Sequence, residues 1–125
     1  MIDLLVSSII AVFTGLLSVP TPAATPIGLW QRADAQIEAR FYPCGDKLCA
    51  RITKIKSKSR HLTSGAMLVQ GAALTSHNMW EGPVLDIDSG TMVAGVITLT
   101  SRATLSVKSC TVLVLCRVET WNRVK

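Results

Sequence analysis

The sequence predicts an all-β domain whose strands form an antiparallel sheet, sandwich or barrel. Two observations predict this class. Short stretches alternate apolar and polar residues with a period of two, and turn-forming residues separate these stretches at short intervals. No segment between them has the apolar spacing of an amphipathic helix. A chain of 125 residues has room for one such domain.

The N-terminal segment differs from the rest of the chain. Residues 4–19, "LLVSSIIAVFTGLLSV", carry no charge, and "PTPAAT" follows with small residues suited to cleavage. This pattern predicts a signal peptide over residues 1–24, cut after Ala23 or Ala24, and a periplasmic or secreted domain over residues 25–125. Asp3 stands where a basic residue is usual, so an uncleaved membrane anchor is the alternative, although sixteen apolar residues are short for a span.

The predicted strands follow in order along the remaining chain. The stretch "IEARFY" (37–42) alternates cleanly, and after the "GDKL" turn Ala50 and Ile52 share a face. "AMLVQGAAL" (66–74) is a further strand with a bulge at Gly71. "PVLDI", "DSG" and "TMVAGVITLT" predict a hairpin with Gly90 in the left-handed turn position. "TLSVKS" and "TVLVLCRVETW" complete the sheet, whereas "TKIKSKSRHLTSG" (53–65) loses the alternation and is predicted to be a basic loop.

The four cysteines predict two disulfides rather than a metal or redox site. Cys44, Cys49, Cys110 and Cys116 are an even number in a short chain that we expect to be exported, with three connectivities open. Zinc sites usually place two to four residues between paired ligands, which only the first pair matches. A redox site would need Cys-x-x-Cys near a βαβ unit, and the sequence has neither.

Spacing favours local pairing of the cysteines. Cys44 and Cys49 flank "GDKL", a usual hairpin length, and are expected to lie opposite each other on two strands. If "CTVLVLC" (110–116) were straight, Cys110 and Cys116 would be roughly 20 Å apart, whereas a disulfide needs Cα atoms within about 7 Å. Either the chain turns between Thr111 and Leu115 or these cysteines pair elsewhere; we predict the turn.

Several motifs together resemble a known family. "GLW" (28–30), "YPCGDKLCARI", "GPVLDIDSGT" and "LSVKSC…LCRVETWNRV" are similar to the family catalogued as domain of unknown function 2147, over nearly the whole chain from Gly28 onward. The resemblance implies a small exported bacterial protein with a lipocalin-like, calycin-type antiparallel barrel. It also implies that the indole of Trp30 packs against an arginine near the chain end, Arg123 or Arg117, and closes the barrel there.

The strongest charge feature is a basic stretch of six residues. We consider it either a solvated surface that maintains solubility or a contact surface for anionic lipid headgroups, lipopolysaccharide or an acidic envelope polymer. Nucleic acid is not an expected partner, because one tyrosine and two phenylalanines provide little for base stacking. The members are Lys47, Arg51, Lys54, Lys56, Lys58 and Arg60.

No motif predicts catalysis, and we expect no cofactor and no metal. The sequence lacks the Gly-x-Ser-x-Gly motif, and "DIDSG" lacks the later residues of a calcium loop. The leading hypothesis is therefore an exported barrel that binds an apolar or amphipathic small molecule in its interior. The alternative is a structural or interaction module of the cell envelope, with a filled core and a basic outer face. The sequence gives no prediction of oligomeric state.

Overall fold

The structure is a computed structural model that describes residues 24–56, 62–112 and 115–124. Eight antiparallel strands pair in chain order and close into a barrel, because β1 also pairs with β8. The strands are β1 (Gly28–Arg32), β2 (Ile37–Cys44), β3 (Lys47–Ile55), β4 (Met67–Ser76), β5 (Met79–Asp86), β6 (Thr91–Leu99), β7 (Thr104–Val112) and β8 (Leu115–Arg123). The predicted all-β barrel is confirmed. Within the described ranges, no helix is long and apolar enough to cross a membrane.

The up-and-down order gives the barrel two distinct ends. The β1–β2, β3–β4, β5–β6 and β7–β8 connections lie at one end, which we call the open end. The other three connections lie at the opposite end, together with residues 24–27 and the end of β8, and we call this the closed end. The end of β3, with Lys54 and Lys56, therefore belongs to the open end. The predicted signal segment lies outside the described residues except for Ala24.

Strand alternation places one apolar face of each strand inside the barrel. The register between β3 and β4 is irregular, because Leu48 pairs with Ala72 and Cys49 pairs with Gln70. Gly71 is therefore the extra residue of a bulge, with φ of 83°. The bulge allows β4 to keep its alternation. The predicted bulge is confirmed, as is the left-handed conformation of Gly90, with φ of 74°. The largest fully buried side chains are Trp30, Trp121, Phe41, Ile37, Ile52, Leu68, Ile97, Leu105, Val69 and Val84.

Both local disulfides are present, but the register of the first differs from the prediction. The β2–β3 turn contains only Gly45 and Asp46, since Cys44 pairs with Lys47 and Cys49 pairs with Tyr42. The expectation that Cys44 and Cys49 lie directly opposite was wrong. They are diagonal neighbours with Cα atoms 5.8 Å apart, a separation that a disulfide spans without displacement of the strands.

The structure also defines the second disulfide and the ends of two strands. β7 ends at Val112 and β8 begins at Leu115, so the chain reverses direction where we predicted a turn, and Cys110 lies opposite Cys116. β7 is one continuous strand from Thr104 to Val112. The predicted basic loop was also placed too early, because β3 continues through Ile55.

Candidate functional site

Charged side chains replace apolar ones on the inner face of the barrel near the open end. On β8, Glu119 and Arg117 are two and four residues before the buried Trp121 and so lie on the same face. The register agrees, because Glu119 pairs with the buried Val107 and Arg117 pairs with Ser109. The inner wall therefore changes from aromatic to ionic along one strand.

Arg32 at the end of β1 links this ionic group to the β1–β2 turn. Its guanidinium donates to both carboxylate oxygens of Asp34, at 3.0 and 2.6 Å, and to Oε2 of Glu119 at 3.2 Å. The Arg32 hydrogen bond lowers the pKa of Asp34. Burial raises the pKa of Glu119 despite the attraction of Arg32 and Arg117, because the barrel wall excludes the water that would solvate the carboxylate.

Arg117 connects β8 with the β5–β6 turn. It donates to Oδ2 of Asp88 and lies 4.0 Å from Oδ1 of the buried Asp86. Asp86 also accepts hydrogen bonds from the hydroxyl of Ser89 at 3.0 Å and from the backbone N–H of Asp88 at 3.2 Å. The hydrogen bond from Arg117 lowers the pKa of Asp88. Two arginines and four carboxylates thus face one another at this end.

Two cavities meet at Arg117. One has a volume of about 290 Å³ and is lined by Asp86, Ser109, Thr111, Leu115, Cys116 and Arg117. The other has a volume of about 420 Å³ and is lined by Arg32, Ala33, Asp34, Asp88, Arg117, Val118, Glu119 and Thr120. The first combines an apolar wall with hydroxyl, carboxylate and guanidinium groups, so it offers hydrogen-bond donors and acceptors beside an apolar surface. Across the described residues, no three His, Cys, Asp or Glu side chains are grouped to hold a metal ion.

An aromatic layer lies beneath the ionic one. Phe41 contacts Trp30 and Trp121 edge to face, with ring centroids 6.5 Å apart in each pair. The indole N–H of Trp121 is buried and has no hydrogen-bond partner within the described part of the chain. Since Trp121 is the next inward-facing residue after Glu119, this donor lies one layer below the charged group.

The tryptophan and arginine named by the family resemblance meet at the closed end. Trp30 pairs with Arg123 in the β1–β8 register, and the guanidinium carbon lies 4.3 Å from the indole centroid. Arg123 also donates to the carbonyls of Ile27, Thr25 and Arg102, at 2.9, 2.5 and 2.7 Å. A Cβ on Gly28 would lie 2.9 Å from Nη1 of Arg123, so glycine leaves room for this contact.

The described members of the basic stretch are exposed but do not lie at one place. Lys47 is beside the β2–β3 turn at the closed end, whereas Lys54 and Lys56 are at the open end. Arg51 lies between them and donates from Nη1 to the carbonyl of Gly65 at 2.6 Å. Lys58 and Arg60 fall outside the described residues.

The ionic group was missed by the sequence reasoning, although "RVETW" (117–121) contains its signal. Arg117, Glu119 and Trp121 occupy alternate positions, so a strand that buries Trp121 must also turn Arg117 and Glu119 inward. Charged residues at inward positions of a small barrel indicate a site or an internal ion pair.

Comparison with known proteins places this geometry in a family. The profile of a family described as "Uncharacterized protein conserved in bacteria (DUF2147)" matches residues 28–123. The chain belongs to this family. The family resemblance in the sequence is thereby confirmed, and the match spans all eight strands.

Known structures support the barrel. The structure of HP1028 from the human pathogen Helicobacter pylori, described as belonging to the lipocalin family, matches with a TM-score of 0.66. The match covers 82% of this chain and 85% of that chain at 13% sequence identity, so the likeness concerns the fold. No curated protein matches the chain significantly.

Proposed function

We propose that this member of family 2147 is an exported β-barrel that binds an amphipathic small molecule at its open end. The observation that supports the proposal is the cavity of about 290 Å³, in which Leu115 faces the polar groups of Asp86, Ser109 and Arg117. Sites that enclose a small molecule start at roughly 300 Å³. We therefore expect a compact ligand, or enclosure of only the polar part of a larger one.

The side chains below the cavity support a binding site at the open end rather than one in the middle of the barrel. Trp30, Phe41 and Trp121 pack against one another and are fully buried, which leaves the closed half of the barrel filled. The unpaired N–H of Trp121 favours a ligand with an acceptor atom that reaches past Glu119, because an unmet buried donor costs free energy. An eight-stranded barrel is just wide enough to hold one small ligand.

Export is supported by the apolar segment at residues 4–19 and by two disulfides in a protein of a bacterial family. Disulfides form and persist in oxidising compartments and are rare in the cytosol. The periplasm or the extracellular medium is therefore the proposed location. Sequencing the N-terminus of the protein purified from cell fractions tests this part of the proposal.

The binding proposal is tested with a cavity-filling variant and a matched control. Ser109 lines the cavity, whereas Ser106, on the same strand, pairs with Thr98 and Thr120 on the outer face. We expect the fluorescence of N-phenyl-1-naphthylamine to rise on binding to the wild-type protein and to Ser106→Phe. Its affinity for Ser109→Phe should be at least about tenfold weaker. Equal binding by both variants would reject the cavity as the site. Native mass spectrometry of the purified protein then seeks the natural ligand.

One cross-strand pair favours the alternative function, an envelope interaction module with a basic outer face. Arg40 and Arg51 lie directly opposite each other on β2 and β3, both exposed, and like charges in this position repel unless an anion lies between them. If this function is correct, the triple variant Lys54→Gln, Lys56→Gln, Lys58→Gln releases the protein from lipopolysaccharide at low salt. Retention equal to that of the wild type would argue against it.

A further inference from the structure

The β7–β8 hairpin exposes apolar side chains where it reaches the open end. Val112, Leu115 and Val118 are 54%, 63% and 62% exposed, and we call these three residues the hairpin tip. Val112 and Leu115 form a cross-strand pair, and Val118 follows on the same strand. Single exposed apolar residues are common on protein surfaces, but three on one hairpin form a patch that needs an explanation.

A disulfide restricts the movement of the hairpin tip. The Cys110–Cys116 disulfide joins β7 and β8 just below the Val112–Leu115 pair. This cross-link restricts the two strands, so the tip cannot easily rearrange to bury its side chains against the core. The apolar surface is therefore available to a partner.

Charges near the hairpin tip favour an anionic surface. The exposed Lys108 lies directly opposite Val118 in the β7–β8 register. The exposed Lys54 and Lys56 lie at the same end of the barrel but at the end of β3, which is not adjacent to the hairpin, and Lys54 pairs with Glu38. The nearby acids on the turns, Asp34 and Asp88, are paired with Arg32 and Arg117. Lys108 beside the apolar tip, with further lysines at the same end of the barrel, complements anionic lipids, whose headgroups attract cations while their acyl chains accept apolar side chains.

A second copy of the chain fits this surface less well. A stable protein interface buries roughly 800 Å² on each partner, and three aliphatic side chains at the end of a hairpin provide only a fraction of that area. A bilayer surface makes no such demand, because it closes around a projecting tip.

We infer that the hairpin tip inserts into the surface of a bilayer that contains anionic lipid. The contact places the open end and its cavity at the membrane, where an amphipathic molecule could pass between lipid and protein. The membrane contact does not depend on ligand binding, since the tip residues Val112 and Val118 and the cavity residue Ser109 can be changed separately.

The test is vesicle partition by the intact protein. Vesicles contain phosphatidylcholine and phosphatidylglycerol in a 7:3 ratio, and flotation gives the bound fraction. We expect the double variant Val112→Ser, Val118→Ser, which leaves the cavity lining unchanged, to partition about tenfold less than the wild type, because two apolar side chains no longer leave water. The matched control is Leu74→Ser, which removes a side chain of 61% exposure near the closed end and should change partition less than about twofold. Intact mass ensures that all proteins carry the same N-terminus.

A second measurement keeps the inference testable if the serine variant folds poorly. Val112→Trp should show a blue shift on addition of the vesicles and quenching by lipids with a nitroxide on the acyl chain, whereas Leu74→Trp should show neither. Partition of the serine variant equal to that of the wild type, or the same spectral change in both tryptophan variants, would overturn the inference. If the serine variant loses self-association in analytical ultracentrifugation but still binds the vesicles, the partner of the tip is a second copy of the chain instead.

Discussion

The two ends of this barrel stabilise themselves in different ways. At the closed end, Arg123 covers the indole of Trp30 and donates to three backbone carbonyls, and the Trp30 N–H donates to the carbonyl of Pro26 at 2.8 Å. At the open end, Arg117 meets carboxylates and two cavities remain. The closed end is a packed aromatic and cationic layer, and the open end is an ionic layer with unfilled volume.

One strand supplies most of this difference. Arg117, Glu119, Trp121 and Arg123 are the inward-facing positions of β8, from the open end to the closed end. Packed aromatic groups exclude water and stabilise a single arrangement, whereas partly exposed ion pairs add little net stability because water competes for them. We therefore expect the closed end to contribute more to the stability of the fold than the open end does.

The strongest test of this contrast removes Trp30. Truncating a buried tryptophan to alanine costs about 3–5 kcal/mol of unfolding free energy, and Trp30→Ala also leaves Arg123 without the aromatic face beneath it. The matched change at the open end, Leu115→Ala, should cost less than about 0.5 kcal/mol because the side chain is exposed. Urea denaturation followed by circular dichroism gives both values. Similar losses from the two variants would contradict the contrast.

Sequence reasoning was sufficient for the closed end and insufficient for the open end. Alternation predicted the strands because a half-buried strand must alternate, and the family resemblance named Trp30 with two candidate arginines. The choice between Arg123 and Arg117 depends on the β1–β8 register, which alternation alone does not determine. The diagonal position of Cys49 likewise depends on a two-residue turn that the loop sequence did not distinguish from a four-residue one.

The ionic layer could not be assembled from the sequence for a different reason. Arg32 and Glu119 are 87 residues apart in the chain and meet only because the barrel closes between its first and last strands. A local pattern indicates that Glu119 points inward, but it does not identify a partner at that distance. Closure of the sheet is a property of the whole chain.

The disulfides provide a second test, since one lies near each end. Their loops are of almost equal length, with cysteines five and six residues apart. Chain entropy therefore predicts that Cys44→Ala, Cys49→Ala and Cys110→Ala, Cys116→Ala each lower the unfolding free energy by roughly 2 kcal/mol. Reducing agent should lower the melting temperature of the wild type, and zinc should not raise it. A much larger loss from the closed-end pair would show that packing, and not only the cross-link, depends on that disulfide.

The smallest expected effect is the pH dependence of the ionic layer. Because burial raises the pKa of Glu119 in the folded state, the folded protein takes up this proton at a higher pH than the unfolded chain does. The contribution of Glu119 to the unfolding free energy is therefore least favourable near pH 7 and improves as the pH falls through its folded pKa. The unfolding free energy of Glu119→Gln, relative to that of the wild type, should be most favourable at pH 7, and this advantage should disappear toward pH 4.

Asp34→Asn is the control of opposite sign. The hydrogen bond from Arg32 lowers the pKa of Asp34 in the folded state, so this carboxylate stabilises the protein above its unfolded pKa and loses that effect as the pH falls through its folded pKa. The variant should be less stable than the wild type near neutral pH, with a deficit that shrinks in acid. Urea denaturation at pH 7 and at pH 4 measures Glu119→Gln, and a further measurement near pH 2.5 is needed for Asp34→Asn because the ordinary pKa of an aspartate is already 3.8. If both showed the same pH trend, burial would not distinguish the inner carboxylate from the outer one, and the open end would behave as ordinary solvated surface.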